Sequence, residues 1–475
     1  FDNMNKDILK DKKHIHFIGI GGSGMYPLAQ ILHSQGYYLT GSDNNETETL
    51  EAVRKMGIPV FMGQRAENIE GADLIVHTAA IMADNPELIA AKASNAPVLE
   101  RSELLGIVTG WYDNSICVSG THGKTTTTSM ITQILFTAGV DLSAFIGGKL
   151  PCIGGSGRAG KSDIMVCEAC EFVDTFLKLY PDVAVILNID EDHLDYFKNL
   201  ENIIKSFRKF SEMATKALII NGDDANTLKA VDGITGKEFI TFGLDSKNDY
   251  YAADIKKISG METEYTLMYK GKALGKINLH VAGVHNILNS LAAAAASFYA
   301  NVSFESIQKG LSDFRGAGRR FELIGKEKGI TIVDDYAHHP TELSVTLKAA
   351  MDMGYNKVWA VFQPFTFSRT AILLDDFAKA LSIPDNAVLT DIMGSREKNT
   401  YNIYTRNLAE KIDGCIYFPQ DENAEYTDER KYENFGQVCD YICENANDGD
   451  LVITLGCGDV YKVAKMIYKK LKGQE

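Results

Sequence analysis

The 475 residues carry a net charge of −15 and a pI near 5.2, a balance that argues against nucleic acid or an anionic membrane as the main partner. Apolar residues make up 45% of the chain, ample for packed cores, and the length suggests about three domains. No apolar run is long enough to cross a bilayer and no N-terminal signal-peptide pattern appears, so the expectation is a cytoplasmic protein; Phe1-Asp2-Asn3 reads as a remnant ahead of Met4. The eight cysteines are scattered and are expected as free thiols. Cys167-Glu-Ala-Cys170 has a redox or zinc spacing but no second pair nearby, and reads as buried thiols.

In chain order, His14 to Ile20 reads as a strand that runs into Gly19-Ile-Gly-Gly-Ser-Gly24 and a helix carrying Leu28, Ala29, Ile31 and Leu32. Gly19, Gly21 and Gly24 fit G-x-G-x-x-G, and Asp43 lies about twenty residues on, where an acid binds a ribose. Taken alone the fingerprint suggests a dinucleotide, yet any diphosphate suits the same turn, and Asp43 has the simpler alternative of a turn or helix cap. Tyr37–Gly41, Val60-Phe61, Leu74–Val76 and Val98-Leu99 complete a Rossmann-like alternation with a parallel sheet. Asp84-Asn-Pro-Glu87 reads as a helix start.

The central stretch is Ile116-Cys-Val-Ser-Gly-Thr-His-Gly-Lys-Thr-Thr-Thr-Thr-Ser129: strand, glycine turn, Lys-Thr, then a helix with Met130, Ile131, Ile134 and Leu135 at helical spacing. This is the layout of a phosphate-binding loop. Gly120 and Gly123 let backbone N–H groups close on phosphate oxygens, the helix N-terminus adds donors and a favourable dipole, Lys124 reaches the terminal phosphates, and the Thr125 hydroxyl suits Mg²⁺. The strict pattern wants a glycine where Val118 stands, and a threonine-rich helix start with ordinary caps is the plainer reading. Asp163 to Glu168 reads as a buried strand ending in a carboxylate, and Val183 to Ile189 as another, followed by Asp190-Glu-Asp-His193. In an open parallel sheet such strand ends gather around the ligand, so Glu168 and His193 are candidates around Mg²⁺ and ATP phosphates. Ala217–Asn221 is a further strand. Glu238–Gly243 and Thr263–His280, with its Lys270-Gly271 turn, fit an antiparallel addition. His285, Asn286 and Asn289 open an alanine-rich helix, as caps or as groups that meet a base edge.

Gly316-Ala-Gly-Arg-Arg320 suits a linker whose arginines clamp phosphates. Ile330-Thr-Ile-Val-Asp-Asp-Tyr-Ala-His-His-Pro340 begins a third alternating segment, with further strands at Val358–Phe362, Ala387–Thr390 and Leu451–Leu455. Asp335, Tyr336, His338 and His339 sit just after a strand, and Arg369 and Arg396 are candidates for an anionic group.

Several blocks together carry a resemblance. They are Ile15 to Met25, Gly41-Ser-Asp43, Asp84 to Glu87, Ser119-Gly-Thr-His-Gly-Lys-Thr-Thr-Thr127, Asn188 to Asp195, Gly283 to Asn289, Arg319-Arg-Phe-Glu322 and Asp334 to Glu342. From about His14 to its end the chain resembles the Mur ligases of peptidoglycan synthesis. The opening Gly-Ile-Gly-Gly-Ser-Gly-Met favours the branch that adds L-alanine over the other branches and over the folylpolyglutamate synthases. The resemblance implies three α/β domains: a Rossmann-like UDP-sugar domain over 4–106, a central P-loop ATPase domain with a mixed sheet over 107–318, and a Rossmann-like amino-acid domain over 319–475.

The implied reaction is ATP-dependent amide formation. The lactyl carboxylate of UDP-N-acetylmuramate attacks the γ-phosphate, and the L-alanine amine then attacks the acyl phosphate. The resemblance assigns Gly120, Thr121, His122, Gly123, Lys124, Thr125, Thr126, Asn289, Arg319, Arg320 and Asp335 to ATP, with Asn289 on the adenine. It assigns Thr125, Glu168 and His193 to Mg²⁺, and Gly19, Gly21, Gly22, Ser23, Gly24, Met25, Ser42 and Asp43 to the UDP-sugar. Tyr336, His338, His339 and Arg369 fall to the amino acid, and Lys124, His193, Arg320, His338 and Arg369 to catalysis. The fingerprint of the first domain then holds a UDP diphosphate. A monomer or homodimer is expected, with no nucleic-acid or membrane partner.

The chain departs from the family at three places. Ala169-Cys-Glu-Phe-Val-Asp174 follows Glu168 where an acidic, Ser-containing stretch is usual. Gln363-Pro364-Phe365 replaces Gln-Pro-His, and Asp391-Ile-Met-Gly-Ser-Arg-Glu397 replaces Asp-Ile-Tyr-Ala-Ala-Arg-Glu. The last two lie near the expected amino-acid pocket and leave glycine, L-serine or a peptide as alternative acceptors. A nicotinamide dehydrogenase, read from the first fingerprint alone, leaves the second phosphate loop unexplained. A non-catalytic nucleotide switch would bind ATP through Lys124, Glu168 and His193 with no coupled acceptor.

Overall fold

The structure is a computed structural model that describes residues 7–79, 81–258, 262–395, 397–419 and 427–474. Arg396 and the Phe1-Asp2-Asn3 stretch lie outside the described residues. Two compact units form: residues up to 253 with 266–277 and 288–314, and residues 254–265 with 278–287 and 315–475.

The first sheet is a five-stranded parallel one. Its strands are β1 (His14–Ile18), β2 (Tyr38–Asp43), β3 (Val60–Met62), β4 (Leu74–His77) and β5 (Val98–Glu100), in the order β3-β2-β1-β4-β5. The order reverses at β1, and in an open parallel sheet the crevice beside such a reversal is where ligands bind. The G-x-G-x-x-G turn leaves the end of β1 there.

The central sheet has ten strands: β6 (Asn114–Ser119), β7 (Ser143–Leu150), β8 (Gly155–Arg158), β9 (Ile164–Glu168), β10 (Val183–Ile186), β11 (Ala217–Asn221), β12 (Glu238–Gly243), β13 (Tyr250–Lys257), β14 (Thr263–Tyr269) and β15 (Lys272–Leu279). They run in the order β15-β14-β13-β12-β11-β10-β6-β9-β7-β8. β12-β11-β10-β6-β9-β7 pair in parallel, while β8 is antiparallel to β7, so the sheet is mixed. β13 joins β12 in parallel, so the expected antiparallel addition does not begin there. Between β14 and β15, Lys270 and Gly271 both have positive φ, the geometry a two-residue hairpin turn demands. One apolar cluster serves the first two sheets, from Ile15 and Phe17 to Phe176, Phe207 and Phe210. Within it Phe176 stacks on Phe210 at 4.7 Å and meets Phe207 edge-on at 5.2 Å.

The third sheet has β16 (Glu322–Glu327), β17 (Ile330–Asp335), β18 (Val358–Phe362), β19 (Asn386–Leu389), β20 (Ile416–Tyr417) and β21 (Leu451–Leu455), ordered β16-β17-β21-β18-β19-β20. All neighbours are parallel except β16 with β17. β18 shows why its run is continuously apolar: Val358, Ala360 and Phe362 pack on one face of the sheet, Trp359 and Val361 on the other. Among the described residues no helix is long and apolar enough to cross a membrane.

Candidate active site

The phosphate loop follows β6. Gly120 and Gly123 take φ of +149° and +90°, which only glycine adopts cheaply, and Gly123 precedes the helix Lys124–Thr137. A Cβ on Gly123 would stand 2.5 Å from Asn289 Oδ1, so glycine is also required for Asn289 to approach the loop. Asn188, at the end of β10, holds the loop from the other side: its Oδ1 accepts from His122 N–H at 2.8 Å and its Nδ2 donates to His122 O at 2.9 Å. Thr121 Oγ1 accepts from Asp190 N–H at 2.8 Å, and the His122 ring lies 3.4 Å from Asp190. Thr125 and Thr126 are buried on the first turn of the helix.

Lys124 turns back over its own loop, donating to Gly120 O at 2.7 Å and pairing with Glu171 at 3.1 Å. Burial works against its charge, and the Glu171 carboxylate more than restores it, so the ammonium is held protonated well above the usual lysine range.

The carboxylates at the strand ends differ from expectation. Glu171, Asp192 and His193 bring ligand atoms within 4.8 Å of one another, and the set is buried except for the partly exposed His193. His193 Nε2 lies 3.7 Å from Glu171 and 3.5 Å from Asp192. His193 has φ +51°, and Val173 and Asp174, just past Glu171, also have positive φ. Strained backbone of this kind persists where the surroundings hold it, commonly beside a ligand. Glu168, the expected metal residue, falls outside that group: its Oε1 accepts from Gly147 N–H at 2.9 Å. Which of two glutamates three residues apart turns toward His193 is decided by the tight turn after β9, and strand spacing does not show it. The oxygen donors fit a hard divalent cation better than a soft one.

Glu168 instead lines a cleft of about 340 Å³ with Cys170, Gly147, Phe145, Arg101, and Ser23 and Gly24 of the first fingerprint. Cys170 is exposed, against the expectation of a buried thiol, whereas Cys167 is buried; all eight cysteines are free.

In the first domain a second hollow of about 610 Å³ is lined by Gly19, Gly22, Asp43, Asn45, Gln64, Thr78 and Asn85 among others. Asp43 Oδ2 accepts from Gly21 N–H at 2.9 Å and its Oδ1 accepts from Asn44 and Asn45 N–H. The acid thus braces the fingerprint turn while bordering the hollow. Two expected contacts are turned away from it. Met25 is in the core, and Ser42 is fully buried, its hydroxyl donating to Glu87 Oε2 at 2.7 Å. Glu87 also meets His16 Nε2 at 2.5 Å, a buried pair that ties β1 and β2 to the start of the helix Pro86–Ala93.

In the third domain the groups after β17 and β21 gather. Arg319 is directed inward: Nε pairs with Asp334 at 2.9 Å, the two terminal nitrogens donate to Gly458 O and Gly456 O at 2.6 Å, and the guanidinium lies over Tyr461 at 4.8 Å. It anchors the start of this domain, and of the two arginines expected to face the phosphates it is the one bonded inward. Arg320 lies over the Tyr336 ring at 4.9 Å. His338 Nδ1 lies 3.1 Å from Tyr336 O and 3.4 Å from Glu342. His339 is buried and caps the helix Pro340–Met351, its Nδ1 accepting from Thr341 N–H at 3.2 Å; this helix-capping role departs from the expected amino-acid contact. Arg369 follows Thr366, which caps the helix Phe367–Ile372, and its charge acts on the Cys457 thiol. Phe365 is half-buried and bridges to Met393.

Asp335 is buried, accepting from Phe321 and Ala337 N–H at 2.8 Å. Burial lifts its carboxyl to about 6, against the opposing pull of Arg320. As pH falls through that value the group becomes neutral and Arg320 loses its counter-charge. The kcat/KM profile should therefore carry an acid limb near pH 6 that is displaced or absent in Asp335→Asn; an unchanged limb in the variant would assign it elsewhere.

Comparison with known proteins agrees along the chain. The descriptions that match are "Mur ligase family, catalytic domain" over residues 14–110, "Mur ligase middle domain" over 118–297 and "Mur ligase, glutamate ligase domain" over 319–458. A UDP-N-acetylmuramate–L-alanine ligase of Acetivibrio thermocellus is 45% identical, covering 96% of each chain, and one of Agathobacter rectalis is 44% identical, covering 96% of this chain and 98% of its own. The crystal structure of the UDP-N-acetylmuramate-alanine ligase of Thermotoga maritima superposes with a TM-score of 0.79 at 26% identity, over 97% of this chain and 99% of its own. With these relatives matching nearly its full length, the chain belongs to the Mur ligase family, and its fold is that family's three-domain α/β architecture.

Proposed function

We propose that the protein joins L-alanine to the lactyl carboxylate of UDP-N-acetylmuramate at the expense of ATP, in the cytoplasm, as a step of peptidoglycan precursor synthesis. The observation that carries most weight is local: a lysine held charged in a glycine loop, beside two buried acids and the partly exposed His193, next to a cleft that reaches the first fingerprint. The relatives' names supply the substrates. Residues 4–106, 107–318 and 319–475 are assigned to the UDP-sugar, ATP and the amino acid.

In this reading a lactyl carboxylate oxygen bonds to the γ-phosphorus and the bond to the β-phosphate oxygen breaks, releasing ADP. The alanine amine then bonds to the acyl carbon, phosphate leaves and the amine sheds a proton. Lys124 neutralises charge that builds on the transferring group, and the N–H groups from Gly120 to Thr126 cradle the phosphates. Glu171, Asp192 and His193, with Thr125 and Glu168 nearby in sequence or space, would hold Mg²⁺. Bound there, Mg²⁺ would offset phosphate charge. Asn289 is assigned to the adenine, Arg320 to the phosphates, and His338 and Arg369 to the acyl phosphate and amino acid. The test is ADP release with UDP-N-acetylmuramate and each amino acid in turn. The expected result is release that requires the UDP-sugar and a small L-amino acid; release indifferent to the UDP-sugar would overturn the reading.

Acceptor choice is a separate expectation. Phe365, where the family usually has histidine, offers apolar surface to a methyl group and no hydrogen bond to a carboxylate, which falls to Arg369 or Arg396. One methyl in an apolar pocket gives roughly 10- to 200-fold in kcat/KM, so alanine should exceed glycine by that margin. Comparing L-alanine, glycine, L-serine and D-alanine in wild type and Phe365→His checks this. A preference for a charged or bulky amino acid would refute the acceptor while leaving the ligase standing.

A further inference from the structure

The 340 Å³ cleft holds a cation that the reaction as described leaves without a task. Arg101 opens the helix Arg101–Thr109. A Cβ on Gly24 would stand 3.0 Å from Arg101 Cδ, and the guanidinium lies 5.7 Å from the centre of the Phe145 ring, so backbone on one side and an aromatic face on the other fix its place. Its acidic neighbours are committed to the helix cap: Glu100 and Glu103 form a capping box, and Glu100 also accepts from Ser102. Glu168, on the same cleft, accepts from Gly147 N–H. Lys178, the nearby second cation, donates to Ser102 Oγ at 2.9 Å. Among the described residues no hydrogen bond or ion pair holds the Arg101 guanidinium. A half-buried, positioned and unpaired guanidinium on a cleft wall is a receptor for a carboxylate or phosphate.

The two hollows of the first unit separate these anions. The 610 Å³ hollow contains the G-x-G-x-x-G turn and its bracing Asp43, the natural seat of a diphosphate. Arg101 does not border it. Arg101 borders the other cleft, which Glu168 and Cys170 also line, at the end of the strand beside the phosphate loop. An acid brought there meets the Glu168 carboxylate, and the guanidinium on the same cleft offsets that repulsion.

We propose that Arg101 binds the lactyl carboxylate of the sugar nucleotide, so that the protein distinguishes the acidic UDP-N-acetylmuramate from the neutral UDP-N-acetylglucosamine. This rests on the reading above that the first domain takes the UDP-sugar. The test is equilibrium binding of both nucleotides to wild type, Arg101→Met and Arg101→Lys, with ATP affinity and thermal melting recorded alongside. Arg101→Met should weaken UDP-N-acetylmuramate by roughly 10- to 100-fold and leave UDP-N-acetylglucosamine unchanged, with Arg101→Lys between. Equal loss for both nucleotides would place Arg101 on the diphosphate or in the fold and overturn the proposal, as would no loss for either. Wild type that binds neither nucleotide would overturn the reading of the first domain, and the proposal with it. Normal wild-type binding with an indifferent Arg101→Met overturns only the proposal.

Discussion

Lys124→Ala should abolish ADP formation in a protein that still folds. The side chain makes its contacts within its own loop and to Glu171, so truncation removes little packing and releases one buried carboxylate from its partner. What it removes from the reaction is the one loop side chain able to place full positive charge on the transferring phosphoryl group. For such a group the expected loss is on the order of 10²-fold or more. The loss should fall on kcat, since the charge it meets develops in the transition state. Single-turnover ADP release and a melting curve on the same preparation check this. Near-normal turnover in the folded variant would refute the assignment of the loop.

The second large effect concerns the metal. Glu171→Gln should raise the Mg²⁺ concentration for half-maximal rate by roughly tenfold or more, because an amide binds a hard cation less well than a carboxylate. Glu168→Gln should shift the curve less, since its carboxylate is engaged by Gly147 N–H and faces the cleft. Mg²⁺ titrations at fixed ATP in wild type and both variants separate the two glutamates. A large shift in Glu168→Gln with none in Glu171→Gln would restore the order expected from the strand end. Superimposable curves in all three would leave Glu171 as the counter-charge of Lys124 alone.

The phosphate loop was legible because its chemistry is written in consecutive residues: Gly123 must be glycine for its φ and for Asn289, and Lys124 and Thr125 follow directly. The three α/β layers were legible because parallel strands buried on both faces, such as β18, leave continuous apolar runs. Less was legible where a side chain's direction decides its use. Glu168 and Glu171 look equivalent in sequence, and only the turn through Val173 and Asp174 brings Glu171 to His193. Arg319 and Arg320 are adjacent, yet Arg319 is drawn inward by Asp334 and two backbone carbonyls. Met25 and Ser42 sit inside motifs whose neighbours line a hollow, but strand alternation and helix phase carry their side chains into the core. Arg101 gave no sequence signal, because its meaning lies in the cleft it shares with residues far along the chain.

The central claim is that ATP activates the lactyl carboxylate as an acyl phosphate. It is tested most directly with UDP-N-acetylmuramate labelled with ¹⁸O in that carboxylate. Turnover with unlabelled ATP and L-alanine, followed by mass analysis of the phosphate released, should find one labelled oxygen in each phosphate, carried over when the amine displaces it. Phosphate released in step with product yet free of label would contradict the account.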